Sequence, residues 1–146
     1  MAPHPETGEL DVLIGSWRTE GEVFGDDGET PVARVMGYDR YEWLGRAFVI
    51  HRIDVEIGGE GVQGLEVIGP DLGGGSFATR AYDHEGGEQS STATVDGDGV
   101  WTFGADGARA RLSLSEDRSL ALVEWIRTDD GGATWRPWMR LTLSRR

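Results

Sequence analysis

An all-β chain, built as an antiparallel up-and-down barrel of ten strands with one short N-terminal helix, is the fold class that three observations predict. The 23 glycines are spread along all 146 residues rather than pooled in a linker. Between them lie short runs rich in Val, Ile, Thr, Trp, Phe and Tyr, with turn-forming groups at hairpin spacing. Ten strands running up and down leave two open edges unless the first and last pair. Periodicity alone does not separate sandwich from barrel, and closure, which removes both edges, is the physical tie-breaker.

Each element follows from local pattern. Residues 1–9 read as a flexible N-terminal arm. Leu10, Leu13 and Ile14 recur at i, i+3, i+4, an apolar stripe one or two turns long that suits a helical plug at one end of the barrel. Strands are predicted at 15–24, 32–42, 46–57, 62–69, 76–83, 88–95, 99–104, 108–115, 119–128 and 133–144. The groups GDDG (25–28), GG (58–59), DLGGG (71–75), EGG (85–87), DGDG (96–99), ADG (105–107), SED (115–117) and DDGG (129–132) offer residues that tolerate positive φ between them. Pro137 cannot donate to a ladder and predicts a local break in the last strand. The whole of 1–146 reads as one domain, long enough to bury about two thirds of its unfolded surface in a single core.

Composition excludes several classes of function. The net charge is −12, from 26 acidic residues and 14 basic ones, all of them arginine. Such a surface repels phosphate backbones and anionic headgroups, so neither nucleic acid nor membrane is an expected partner. There is no cysteine, hence no disulfide framework, thiolate metal site or cysteine nucleophile. The opening residues lack a basic stretch followed by an apolar run, and no segment approaches the ~20 apolar residues of a membrane span. A soluble cytoplasmic protein is expected.

The stretch LDVLIGSWRTEGEV (10–23) sets a short apolar helix before Gly15-Ser16-Trp17 and then a strand with alternating Gly and Glu. This resembles the Gly-x-Trp opening of the calycin superfamily, the lipocalin and fatty-acid-binding-protein barrels. It is closer still to small bacterial lipocalin-like proteins of unknown function and to nitrobindin-type barrels. RAFVIHR as third strand, VQGLEVIGPD as fourth and DGGATWRPWMRLTL at the C-terminus agree in order and spacing, so the resemblance covers nearly the whole chain. It implies a ten-stranded lipocalin-like barrel in which Trp17 is structural, packed across the closed end under an arginine of the last strand. Arg140 and Arg145 both qualify.

The chemistry centres on AFVIHRIDVEI (47–57), where Val49, His51, Ile53, Val55 and Ile57 share the more apolar face. A histidine in that row points inward, and apolar burial by itself lowers an imidazole pKa. In this setting His51 is a ligand anchor, with Arg80 and Tyr82, on one face of the fifth strand, as its expected polar companions. Trp125 and Met139 are the expected walls. The nitrobindin resemblance implies haem held by a histidine near the C-terminus, yet no histidine follows His84; His51 would have to serve instead. His4 and His84 read as solvated.

Glu66 and Glu124 each have apolar neighbours two positions away and are candidate inward acids. For Glu124 the opposite face carries Ala121, Val123, Trp125 and Arg127, so both orientations stay open. TDDGGATW (128–135) matches an Asp-box hairpin in which Asp130, Gly132 and Trp135 are structural. The glycine groups lack the Lys-Ser/Thr ending and helix start of a phosphate loop. Neither these nor any histidine pair at metal spacing supports a cofactor or metal site.

The leading expectation is binding of a small apolar or amphipathic molecule inside the barrel, without catalysis. The alternatives are haem on His51, a cyclase- or isomerase-type enzyme using His51 or Glu124, and a filled barrel acting through its surface. A homodimer through exposed strands is expected on general grounds, though no residue marks it.

Overall fold

The computed structural model describes residues 7–71 and 76–146. A 3-10 helix over Gly8–Leu13 leads into ten strands: β1 (Gly15–Phe24), β2 (Pro31–Leu44), β3 (Phe48–Ile57), β4 (Glu60–Pro70), β5 (Phe77–Asp83), β6 (Glu88–Val95), β7 (Trp101–Ala105), β8 (Ala108–Leu114), β9 (Leu120–Arg127) and β10 (Arg136–Arg145). Every strand pairs antiparallel with its neighbours in sequence, and β1 pairs with β10 to close the barrel. The two free edges of an open meander are thereby removed.

Strand bounds depart from the predicted ones where a turn claims the residues. The last strand starts at Arg136 rather than residue 133 because the Asp130 carboxylate holds Thr134, accepting from its N–H at 2.9 Å and its hydroxyl at 2.6 Å. Gly132 takes φ +96 there, and Trp135 lies under the Arg109 guanidinium, 4.4 Å from ring centroid to Cζ. In the β8–β9 turn the positive φ falls on Arg118 (φ 61), next to the predicted SED group, while Asp117 accepts from the Ser119 N–H. Residues 72–75 of the predicted DLGGG turn lie outside the described residues. The register shifts between Pro137 and Met139, which is the break that proline imposes.

The N-terminal plug is the 3-10 helix over Gly8–Leu13. Residues 1–6 of the predicted arm lie outside the described residues; Thr7 is buried, and its hydroxyl donates to the Arg46 carbonyl at 3.3 Å. Leu10 and Leu13 are buried against Trp17, whose indole N–H donates back to the Leu13 carbonyl at 3.0 Å. The last strand supplies Arg145, with its guanidinium 4.0 Å from the Trp17 ring centroid and donating to the carbonyls of Ile14 and Val12 at 2.5 and 2.9 Å. Arg140 instead faces outward beside Glu124 at 3.4 Å. The plug and both ends of the sheet thus share one side chain.

Close approach fixes two inward glycines. A Cβ on Gly21 of β1 would stand 2.1 Å from the Arg140 carbonyl oxygen, and one on Gly37 of β2 (φ +153) would stand 2.3 Å from that of Asp54. Any side chain at either position forces the barrel wall apart.

Candidate functional site

Cross-strand register assembles a polar cluster at mid-barrel. His51 on β3 lies opposite Tyr41 on β2 and opposite Glu66 on β4. Asp39, two positions before Tyr41, shares that inner face and reaches His51 on the diagonal. The imidazole Nε2 is 2.6 Å from Asp39 Oδ1 and Nδ1 is 3.0 Å from Glu66 Oε1. The ring stacks on Tyr41 with centroids 3.9 Å apart and planes 9° from parallel. Thr19 on β1 donates its hydroxyl to Asp39 Oδ2. His51 and Asp39 are only 8% and 7% exposed.

Electrostatics reverse the expectation for the imidazole. Burial, the largest single influence, pulls its pKa down. Hydrogen bonds to Asp39 and Glu66, together with their charges, outweigh burial and raise it from 6.5 to about 9. The same burial, reinforced by the charges of Asp39 and Glu66, pushes the Tyr41 hydroxyl well above its ordinary value. The raised pKa values favour a protonated His51 between Asp39 and Glu66 and a neutral Tyr41 phenol beside it.

The lumen divides into two halves at this cluster. Towards the plug, the core is filled by Trp17, Trp101, Phe77, Ile68, Leu10 and Leu13, all buried. Away from the plug, the side chains leave a cavity of about 470 Å³ whose apolar wall includes Val35, Val55, Ile57, Trp125, Met139 and Leu141. Asp39, Tyr41, His51 and Glu66 line it as well, and they form its floor. The bulge at Pro137 turns the consecutive Trp138 and Met139 both to the cavity, and Trp138 meets Trp125 edge-on with centroids 5.7 Å apart.

Ten antiparallel strands, a short N-terminal plug and a half-open lumen define the architecture. The fold is lipocalin-like. No family model matches the chain, and no curated protein matches it. Among solved structures, Rv2717c from M. tuberculosis superposes with a TM-score of 0.73 at 14% identity, over 99% of both chains. The S-type phycobiliprotein lyase CPES from Guillardia theta gives 0.69 at 13%, over 99% of this chain and 98% of that one. The redesigned β-barrel mFAP1 bound to DFHBI gives 0.51 at 9%, over 94% and 98%. At such identities the likeness is one of fold.

Of the residues singled out from sequence, the structure brings His51, Trp125 and Met139 to one cavity. Arg80 and Tyr82 are not there: on β5 the inward row is Phe77 and Thr79, both buried, and Arg80 and Tyr82 project from the outer face. They were expected as companions of His51 if their face were inward, and with one aromatic residue on each row of that strand alternation alone does not say which row faces the lumen. Glu124 also faces out, exposed and paired with Arg140, so it lies apart from the lumen. Glu66 faces in, as one candidate acid was expected to. Asp39 went unread, although Val35, Gly37, Asp39, Tyr41 and Trp43 form an alternating row of the kind that singled out His51.

The donor set does not fit haem iron. Both ring nitrogens of His51 meet carboxylates, leaving no lone pair turned to the lumen. His84 is in the exposed β5–β6 turn, its Nδ1 accepting from the Gln63 N–H at 3.1 Å, and His4 lies outside the described residues. Among the described residues no three His, Asp or Glu side chains are placed to hold one metal ion. No described helix is long and apolar enough to cross a membrane.

Proposed function

We propose that this protein binds a small apolar or amphipathic molecule in the open half of its barrel. The supporting observation is the cavity of about 470 Å³, walled by aliphatic and aromatic side chains and floored by a compact polar cluster. Cavities of this size and composition are the usual form of small-molecule sites. A barrel whose only role was a stable surface would gain stability by filling that space, since voids forfeit packing energy at every wall atom. That the designed barrel mFAP1 holds DFHBI, and that a phycobiliprotein lyase shares the architecture, agrees with this reading. Tyr41 and His51 fix orientation from below, while Trp125 and Met139 contact the apolar body.

Binding is favoured over turnover by the state of His51. Each of its nitrogens already faces a carboxylate, so the imidazole is held in place rather than presented to a reacting atom. The test uses Nile red, a neutral solvatochromic dye, against the wild type and Leu141→Trp, which fills the cavity from β10. Saturable 1:1 binding to the wild type, lost in a Leu141→Trp protein of unchanged circular dichroism, supports the reading. Absence of binding by the wild type, or equal binding by both, overturns it.

A further inference from the structure

Protons can be counted in the His51 cluster from geometry alone. Two N···O contacts, at 2.6 and 3.0 Å, join the two ring nitrogens to two different carboxylates. Each contact requires a hydrogen between its atoms, because a nitrogen lone pair facing a carboxylate lone pair is repulsive. A neutral imidazole carries one N–H. The second hydrogen therefore belongs either to the ring, giving an imidazolium between two carboxylates, or to one carboxyl beside a neutral ring. Both arrangements leave Asp39, His51 and Glu66 with a net charge of −1.

No cation balances that charge inside the lumen. The described side chains lining the cavity include no arginine, and the remaining ones with a polar atom are Thr19, Tyr41, Trp125 and Trp138. In either arrangement the two hydrogens between His51 and its carboxylates, and the Thr19 hydroxyl, are already committed, so the other donors at the lining are neutral ones, the Tyr41 hydroxyl and the indole N–H groups of Trp125 and Trp138. Acceptors are in surplus, since Glu66 Oε2 receives no hydrogen bond among the described residues while its neighbour Oε1 takes the one from His51. A buried anion of this kind calls for a partner that donates. An incoming carboxylate would meet the net negative charge of the cluster and find no cationic partner among the described lining residues.

Resting on the reading that this cavity is a ligand site, we propose that its ligand is an amphipathic cation: a protonated amine donates to the Asp39–His51–Glu66 cluster while an apolar body fills the cavity. Alkyl carboxylates are disfavoured by the same charge.

Three probes with one chain length and different heads decide the matter: decylamine, 1-decanol and decanoate, each displacing Nile red at pH 7 in 150 mM salt. Decylamine is expected to bind more tightly than decanol by about tenfold, the scale of one charge-assisted hydrogen bond over a neutral one, with decanoate weaker than both. In Glu66→Gln the amine's advantage over the alcohol should vanish, whereas Glu124→Gln on the outer face should keep it, separating a lumen effect from attraction to the acidic surface. Decanoate binding as tightly as decylamine overturns the proposal, and so does an amine advantage that survives Glu66→Gln. The wild-type ranking alone decides if Glu66→Gln does not fold. Failure of Nile red itself to bind would instead defeat the ligand-site reading on which this rests.

Discussion

Raising the pH from 6 to 10 should cost this fold the stabilisation that His51 provides. The imidazole pKa rises from 6.5 in the unfolded chain to about 9 in the barrel, so between those values the folded state holds a proton that the unfolded state has released. The contribution is fully present below pH 6.5 and is lost as the pH climbs through 9. A shift of that size, at about 1.4 kcal/mol per unit, corresponds to about 3 kcal/mol, a large fraction of the stability of a domain of this length. Urea unfolding followed by tryptophan fluorescence at unit steps of pH, on the wild type and His51→Gln, isolates it, because the other titrating groups are common to both. The wild type should lose about 3 kcal/mol relative to the variant across the window. Parallel curves would refute the reasoning. Should the variant not fold, nitrogen-detected NMR of the wild type decides: the His51 ring is expected to remain an imidazolium at pH 8, and a midpoint near 6.5 would contradict the two-carboxylate cluster.

Three further outcomes follow from the same contacts. Asp39→Asn removes the charge beside His51 Nε2 and weakens the acceptor of the Thr19 hydroxyl, and should destabilise by about 3 kcal/mol in a denaturant titration, as breaking one side of a buried pair does. Arg145→Lys loses the planar fork that stacks on Trp17 and donates to Ile14 and Val12, and should cost about 2 kcal/mol, with a shift in tryptophan emission as the plug loosens. Gly21→Ala drives a methyl into the Arg140 carbonyl and should lower stability by more than about 2 kcal/mol or prevent folding, whereas Gly61→Ala, with nothing within 4 Å, should be near neutral in the same thermal scan.

The barrel was legible because its signals are local. Turn chemistry at GDDG, DGDG and DDGG and the alternation of AFVIHRIDVEI act over a few residues, and closure follows from the cost of open edges. The cluster was legible only in part, because it depends on register. His51 could be placed on an inner face from its own strand. That it meets Glu66 and Tyr41 directly, and Asp39 diagonally, depends on how β2, β3 and β4 slide past one another, and no single strand encodes that. Facing failed where contrast was low: Phe77, Thr79 and Ala81 against Ala78, Arg80 and Tyr82 offer an aromatic on each side. For Glu124, an outer-face partner at Arg140 settled the orientation, and that pairing again belongs to the register between β9 and β10.

Where the cluster stands says more than its mere presence. Two carboxylates and a charged imidazole, each largely removed from water, are not an efficient way to stabilise a barrel: apolar side chains of the same volume commonly do as well or better. The lower half of this lumen shows the alternative, with Trp17, Trp101 and Phe77 filling the space without titratable groups. The charges occur instead at the level where the filled core ends and the cavity opens. The binding proposed above calls for a polar group at that boundary, at the depth where the head of an apolar guest would stop.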